Sequence, residues 1–298
     1  MVKCMGEIKI RTLTPLWTGD VDRECKSIKE TGIIGSLRWW YEALVRGLGG
    51  YACDPTSDRK CELKQDKFNE AIKSGKSIQG ALDEQICPAC QLFGCTGWSR
   101  KFRVEITVEE VFRADSSQGF EGILKLHLLE IKTIREEEKW LLKKIFEIIG
   151  KYGSIGGRTT RKPQRSETIG KDYGLISVEN IEIETKASKN DVESWLLHNK
   201  RKLSHKNNNE EWPNFKFFFF VQNKFLWRSQ MKKLMEEIPF LHGQKRTKDS
   251  PGKSKRIFSF KAGRIWGYAK NDEMLKEIEN KLREMNISGV IRGEEVLK

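Results

Sequence analysis

The 298 residues carry 55 Lys and Arg against 42 Asp and Glu, a net charge of +13, and 38% of them are hydrophobic. Such a chain is long enough for two domains and apolar enough to bury a core in each, which argues against disorder along its length. Its longest apolar run, residues 217–221, falls far short of the roughly 18 residues that span a membrane, and no apolar signal core follows Lys3. Membrane and secreted classes are therefore disfavoured, and a cytoplasmic protein is expected.

Residues 7–13 alternate Ile8, Ile10 and Thr12 with Lys9, Arg11 and Leu13, which predicts a strand. A helix is predicted over 36–48, where Leu37, Trp40, Tyr41, Leu44, Val45 and Leu48 form one apolar stripe. Ser36 is its expected N-cap and Gly49-Gly50 its stop. Arg38, Trp39, Glu42 and Arg46 fall on the opposite face. Residues 51–99 are a polar, cysteine-bearing stretch too long for an ordinary connection, hence an insertion. Phe102, Val104, Ile106, Val108 and Phe112 then share one strand face, and Ser116-Ser117-Gln118-Gly119 turns into a second strand over 122–131. A helix over 136–149, a glycine-rich basic loop over 152–170 and a strand over 175–185 complete the series. Strand, helix, strand, strand, helix, strand is the ferredoxin-like unit.

The second half predicts a helix near 191–203, an apolar strand over 215–221 and a helix carrying Met231, Leu234, Met235 and Ile238. One strand from 256 into 268, a helix carrying Leu275, Ile278, Leu282 and Met285, and a short strand over 287–291 follow. The expected fold class is α+β, with two ferredoxin-like (RRM-like) domains. Residues 1–186 would form the first, with its insertion at 51–99, and residues 187–298 a degraded second.

A basic chain attracts polyanions, so the position of the cations decides what the charge means. Residues 152–165 hold Gly153, Gly156 and Gly157 together with Arg158, Arg161, Lys162 and Arg165, and no acid. No Gly-Lys-Ser/Thr follows and a helix precedes, so this is neither a P-loop nor a dinucleotide fingerprint. Glycines would let a phosphodiester backbone approach, and the four cations would bind it by charge-assisted hydrogen bonds. A solvated basic loop is the plain alternative. Pro15-Leu16-Trp17-Thr18-Gly19-Asp20 leaves the first strand towards the first helix, where Gly32 and Gly35 suit a phosphate at a helix N-terminus. Thr18, Gly35 and Ser36 join the candidate contacts there. On that helix Arg38 and Arg46 would hold phosphate, and Trp39 would stack on a base unless the insertion or the second domain covers it. The loop over 243–256, with Lys245, Arg246, Lys248, Lys253, Lys255 and Arg256 against Asp249 alone, would order on RNA or on a neighbouring subunit.

Specific words now stand together: Thr14-Pro15-Leu16-Trp17-Thr18-Gly19, Gly32-Ile33-Ile34-Gly35-Ser36-Leu37-Arg38-Trp39-Trp40-Tyr41-Glu42, Cys87-Pro88-Ala89-Cys90-Gln91-Leu92-Phe93-Gly94, and the Gly-Gly-Arg at 156–158. With them the chain resembles the RAMP superfamily of CRISPR proteins, and within it the first RAMP subunit of the type III-B (Cmr) effector complex. The resemblance is strong over about the first 165 residues. After that only Gly263-Arg264-Ile265-Trp266-Gly267 looks like the superfamily's late glycine-rich loop. It implies two ferredoxin-like domains, binding of crRNA or target RNA, and partnership with other Cmr subunits in a complex directed at RNA. Cleavage in that family is attributed to a different subunit, so a non-catalytic role is expected and no catalytic residue carries over.

Of seven cysteines, five fall between 53 and 95, which is not a secreted disulfide framework. Cys87-x-x-Cys90 is half of a zinc knuckle, and Cys53 and Cys61 are candidates for the other half. Buried free thiols or a disulfide compete with zinc, and no other cofactor is called for. Four scattered histidines leave one enzymatic alternative, a metal-independent endoribonuclease processing precursor crRNA through His198 and His205. A protein–protein adaptor is the third reading.

Overall fold

The computed structural model describes residues 3–22, 24–165, 171–203, 208–209, 211–244 and 254–298. Strand β1 (Lys3–Thr12) runs into α1 (Glu30–Gly47), and the insertion follows as α2 (Gln65–Lys73), α3 (Ile78–Asp83) and α4 (Pro88–Phe93). Then come β2 (Phe102–Asp115), β3 (Gly119–Glu130), α5 (Glu136–Lys151) and β4 (Ile176–Ile183). All neighbours pair antiparallel in the order β2-β3-β1-β4, the ferredoxin-like arrangement. Period-two alternation sends Ile8, Ile10, Leu124, Leu126 and Leu128 into one core with α1 and α5. The opposite face carries charges that neutralise one another: Lys9 and Lys125 each lie 2.9 Å from Glu109, and Arg11 lies 2.6 Å from Glu179.

Helix α1 starts at Glu30 rather than at 36. The Thr18 hydroxyl accepts the Lys29 backbone N–H at 2.9 Å, fixing the entry, and Gly32 lies so close to Thr18 that a Cβ there would stand 3.1 Å from the Thr18 Cβ. The expected N-cap Ser36 is therefore inside the helix, its hydroxyl donating to the Gly32 carbonyl at 3.2 Å. No helix begins beside Gly35, so the anticipated phosphate site at that terminus is corrected.

Helix α6 (Lys189–Lys202), capped by Ser188, packs on α5 through Val192, Trp195 and Leu196. A second unit follows: β5 (Phe218–Gln222), α7 (Arg228–Glu237), β6 (Ile257–Phe260), β7 (Arg264–Tyr268), α8 (Asp272–Glu284) and β8 (Ile291–Arg292), ending in α9 (Gly293–Val296). Its strand order, β6-β7-β5-β8, repeats the first sheet's. Residues 215–217 form a 3-10 turn, and the single strand expected from 256 into 268 divides at a turn where Gly263 takes φ +88°. The last strand pairs at 291–292, beyond the predicted 287–291.

The second sheet is covered on both faces. Phe219, Val221, Ile257 and Ile265 pack with α7 and α8, while Phe218, Phe220, Phe258, Phe260, Trp266 and Tyr268 pack into the core of the first unit. Burial on both sides explains the unbroken apolar run at 217–221. Trp39 and Trp40 meet this aromatic face, with ring centroids 5.8 and 5.0 Å from Trp266. Arg264 fastens the join by donating to the carbonyls of Gly153 (2.8 Å), Gly150 (3.2 Å) and Ile149 (3.3 Å) at the end of α5, where cations suit the helix dipole. Burial pulls its guanidinium down to about 10. Among the described residues, no helix is long and apolar enough to cross a membrane.

Candidate functional site

The glycine-rich stretch after α5 folds against the chain that leaves β1. The Gly157 N–H donates to the Trp17 carbonyl at 2.6 Å, the Gly156 N–H to the Ser36 hydroxyl at 2.9 Å, and the Trp40 indole to the Ser154 carbonyl at 3.0 Å. A Cβ on Gly153 would stand 2.6 Å from the Trp40 ring, and one on Gly156, at φ +82°, 2.6 Å from the Trp17 carbonyl oxygen. These glycines thus serve tight packing against two tryptophans, a reason other than the expected approach of a phosphodiester. Gly35 differs: a Cβ there would meet nothing within 4 Å.

Between this stretch, α1 and the second sheet lies a cleft of about 420 Å³. Thr18, Gly35, Ser36, Trp39, Gly156 and Gly157, six of the residues anticipated from sequence, line it together. Trp266, Tyr268 and Phe258 form the facing wall, and Lys255 closes one side. Two polar groups on this wall have no hydrogen-bond partner among the described residues: the Lys255 ammonium and the Trp266 indole N–H. Lys255 is only 8% exposed and Trp266 3%. Burial, and then the charge of Lys162, pushes the Lys255 ammonium down to about 7. A buried donor without an acceptor costs free energy, and a buried cation costs more.

Positive charge continues past Lys162. Burial and the neighbouring cations Arg228 and Lys232 hold Lys162 below the usual lysine range. A second groove, about 530 Å³, is lined by Pro163, Gln164, Arg165, Trp227, Arg228, Ser229 and Lys232. The Arg228 backbone N–H donates to the Pro163 carbonyl at 2.9 Å and its guanidinium to the Gln164 side chain at 2.9 Å, which ties the stretch to the start of α7. Trp227, 40% exposed, stands beside this cluster. Cleft and groove together offer aromatic surface next to a cluster of cations, of which Lys232 is paired with Glu236 at 3.4 Å.

Residues 9–161, just over half of the chain, match the sequence model of the RAMP superfamily. The chain belongs to the RAMP superfamily. The matched span begins in β1 and ends on Arg161. No curated protein matches the chain by sequence. Among solved structures, this RAMP protein is similar to Cmr1 from Pyrococcus furiosus in its apo form, with 13% identity, 97% of this chain and 98% of that chain covered, and a TM-score of 0.45. It is also similar to a chain of the type III-B Cmr-beta complex bound to cognate target RNA and AMPPnP in the presence of ssDNA (12% identity, 96% and 100% covered, TM-score 0.45). A further match is a chain of the Csm3–Csm4 subcomplex of the type III-A interference complex (15% identity, 70% and 100% covered, TM-score 0.27).

Within this RAMP framework the arginines of α1 require correction. Arg46 is buried, donating to the carbonyls of Ala52, Cys53 and Pro213, each at 2.9 Å. Arg38 donates to Glu42 and to the Gly94 carbonyl at 2.8 Å and to the Cys90 sulfur at 3.3 Å. Neither presents a free guanidinium to a phosphate, because the insertion covers the face of α1 that the sequence pattern leaves exposed. Trp39 is half-buried in the aromatic join and keeps one edge on the cleft. Arg158, at φ +59°, lays its guanidinium over the Trp17 ring at 3.1 Å and donates to the Ser117 carbonyl at 2.8 Å, while Arg161 lies 4.9 Å from the Tyr173 ring. Arg165 lines the cationic groove, and Lys162 feels the charges of its Arg228 and Lys232. The pattern misses Trp227, Arg228 and Lys232; an aromatic residue directly before an arginine was the available signal.

The four candidate metal-ligating cysteines converge. The sulfurs of Cys53, Cys61, Cys87 and Cys90 all lie within 4.8 Å of one another, buried beneath α1, and no disulfide joins any of the seven cysteines. His198 is exposed on α6. His205, like Lys245, Arg246, Lys248, Asp249 and Lys253, lies outside the described residues.

Proposed function

We propose that this RAMP protein is a non-catalytic, RNA-binding subunit of a crRNA-guided type III-B (Cmr) effector complex directed at RNA, and that the cleft between its two sheets seats part of a single strand. Membership of the superfamily and the sequence words at 14–19, 32–42 and 87–94 support the assembly. The observation that carries the RNA reading is the cleft itself, where Trp39, Phe258, Trp266 and Tyr268 line the cavity together with Lys255, Gly35, Gly156 and Gly157. A strand entering the cleft meets the Lys255 charge and the aromatic side chains that line it, Trp39 among them. Lys162, Arg165, Arg228 and Lys232 extend the site along a backbone, which gives salt-dependent binding with little sequence preference.

The test is anisotropy of a labelled single-stranded RNA titrated with the purified chain, in EDTA, across a range of salt. The RNA stays intact, and Lys255→Gln weakens binding about tenfold, roughly 1.4 kcal/mol. Equal binding by wild type and Lys255→Gln removes the cleft from the account and leaves the adaptor reading. Defined cleavage products that disappear in His198→Ala establish the nuclease.

A further inference from the structure

We propose that Cys53, Cys61, Cys87 and Cys90 hold a structural zinc ion as a closed tetrathiolate site that fastens the insertion to α1. Four sulfurs placed about 2.3 Å from zinc stand about 3.8 Å apart along each edge of the tetrahedron. Here Cys53 and Cys90 are 3.4 Å apart, Cys53 and Cys87 are 3.8 Å apart, and all four sulfurs fall within 4.8 Å of one another. None is more than 1% exposed, which leaves water no coordination position. That is the structural rather than the catalytic type of site.

The surroundings suit thiolates. The Cys87 backbone N–H points at the Cys61 sulfur at 3.4 Å, and the Arg38 guanidinium donates to the Cys90 sulfur at 3.3 Å. Donors of this kind orient ligands and stabilise charge on sulfur. On binding, four S–H bonds give way to four Zn–S bonds and four protons leave to solvent, so ion and ligands carry a net charge of −2. A cation beside the cluster offsets part of that charge, which gives Arg38 a positioning role. The crosslink adds to the packing the insertion already has: α2 buries no residue, α3 three of its six and α4 all six. Elements this short are marginal without packing or a staple. The assignment does not depend on RNA binding.

The experiment is elemental analysis of the full-length chain, made without a polyhistidine tag in zinc-supplemented medium. A single zinc per chain is expected, released in step as a mercurial titrates four thiols. Cys87→Ser and Cys90→Ser lose the metal. Should these variants fail to fold, the wild-type chain loaded with cobalt(II) shows the intense visible absorption of a tetrahedral tetrathiolate. Arg38→Met keeps the metal but loses about ten- to a hundredfold in zinc affinity, read by competition with a chromogenic chelator. A metal-free protein with freely titrating thiols, disulfides among these four cysteines, or iron in place of zinc would each overturn the proposal.

Discussion

The cations on α1 and those around the stretch that follows α5 are alike in the sequence and unlike in the molecule. Arg38 and Arg46 are surrounded by acceptors: Glu42, three main-chain carbonyls around Arg46, the Gly94 carbonyl and a sulfur. Lys162 and Lys255 instead face burial and other cations. The first set holds the insertion to the helix, and the second leaves a charge imbalance inside the protein. A net charge of +13 therefore says little by itself; what matters is which cations the fold leaves without counter-charge.

The largest expected effect tests the first set. Arg46→Ala leaves the carbonyls of Ala52, Cys53 and Pro213 short of a donor and removes the ion pair with Glu42 at 3.8 Å, a loss of about 3–5 kcal/mol of stability in denaturant melts. The RNA affinity of the molecules that remain folded is unchanged. A mild loss of stability with a large loss of affinity would place Arg46 in the binding surface instead.

Lys255 behaves in the opposite sense. Its folded pKa, about 7, lies below the ordinary 10.5, so between these values the unfolded chain binds a proton that the folded chain lacks, and stability rises with pH across that window. Below about pH 7 both states are protonated and the whole penalty for burying the charge remains. Lys255→Met is therefore more stable than wild type at pH 6, and the gain shrinks towards pH 10. Binding of RNA phosphate favours the charged form, so wild-type affinity falls as pH rises above about 7 while that of Lys255→Met stays flat. Anisotropy at three pH values reads both slopes.

Much of this frame was legible from residue pattern. The order of elements and the apolar faces of β1, α1 and α5 specify the first ferredoxin-like unit, whereas in the second the pattern merges β6 and β7 into one strand and hides the repeat. Burial of the second sheet on both faces could be suspected from residues 217–221 alone, but not which layer covers them. Helix faces were harder to read. The helical spacing puts Arg38 and Arg46 opposite the apolar stripe, yet a polar insertion covers that side and turns their heads inward. Gly156 and Gly157 look like room for a ligand in one dimension, and the fold uses them to pack on Trp17. Lys255, adjacent in space to Lys162 but distant in sequence, becomes a site residue only through the tertiary structure.

Arg228 and Lys232 carry the groove's charge on α7, Lys232 with Glu236 3.4 Å away. Both are near the surface of α7, so replacing both by Ala should change stability by no more than about 0.5 kcal/mol each. The slope of log affinity against log salt should fall by about one for each cation that contacts a phosphate. An unaltered slope would restrict the RNA to the aromatic cleft.

The smallest effect comes from the open face of the first sheet. Lys125 lies 2.9 Å from Glu109 and 3.2 Å from Glu7, and Lys9 shares Glu109, so the ladder carries cations and anions in alternation. Its groups are solvated, a setting in which an ion pair contributes little because water screens it. Lys125→Ala removes the same formal charge as Arg228→Ala, yet Glu109 keeps Lys9 as a partner. Stability, RNA affinity and the salt slope should all stay essentially where they are. If Lys125→Ala flattened the slope as much as Arg228→Ala does, RNA would be responding to total charge, and the distinction between compensated and uncompensated cations would fail.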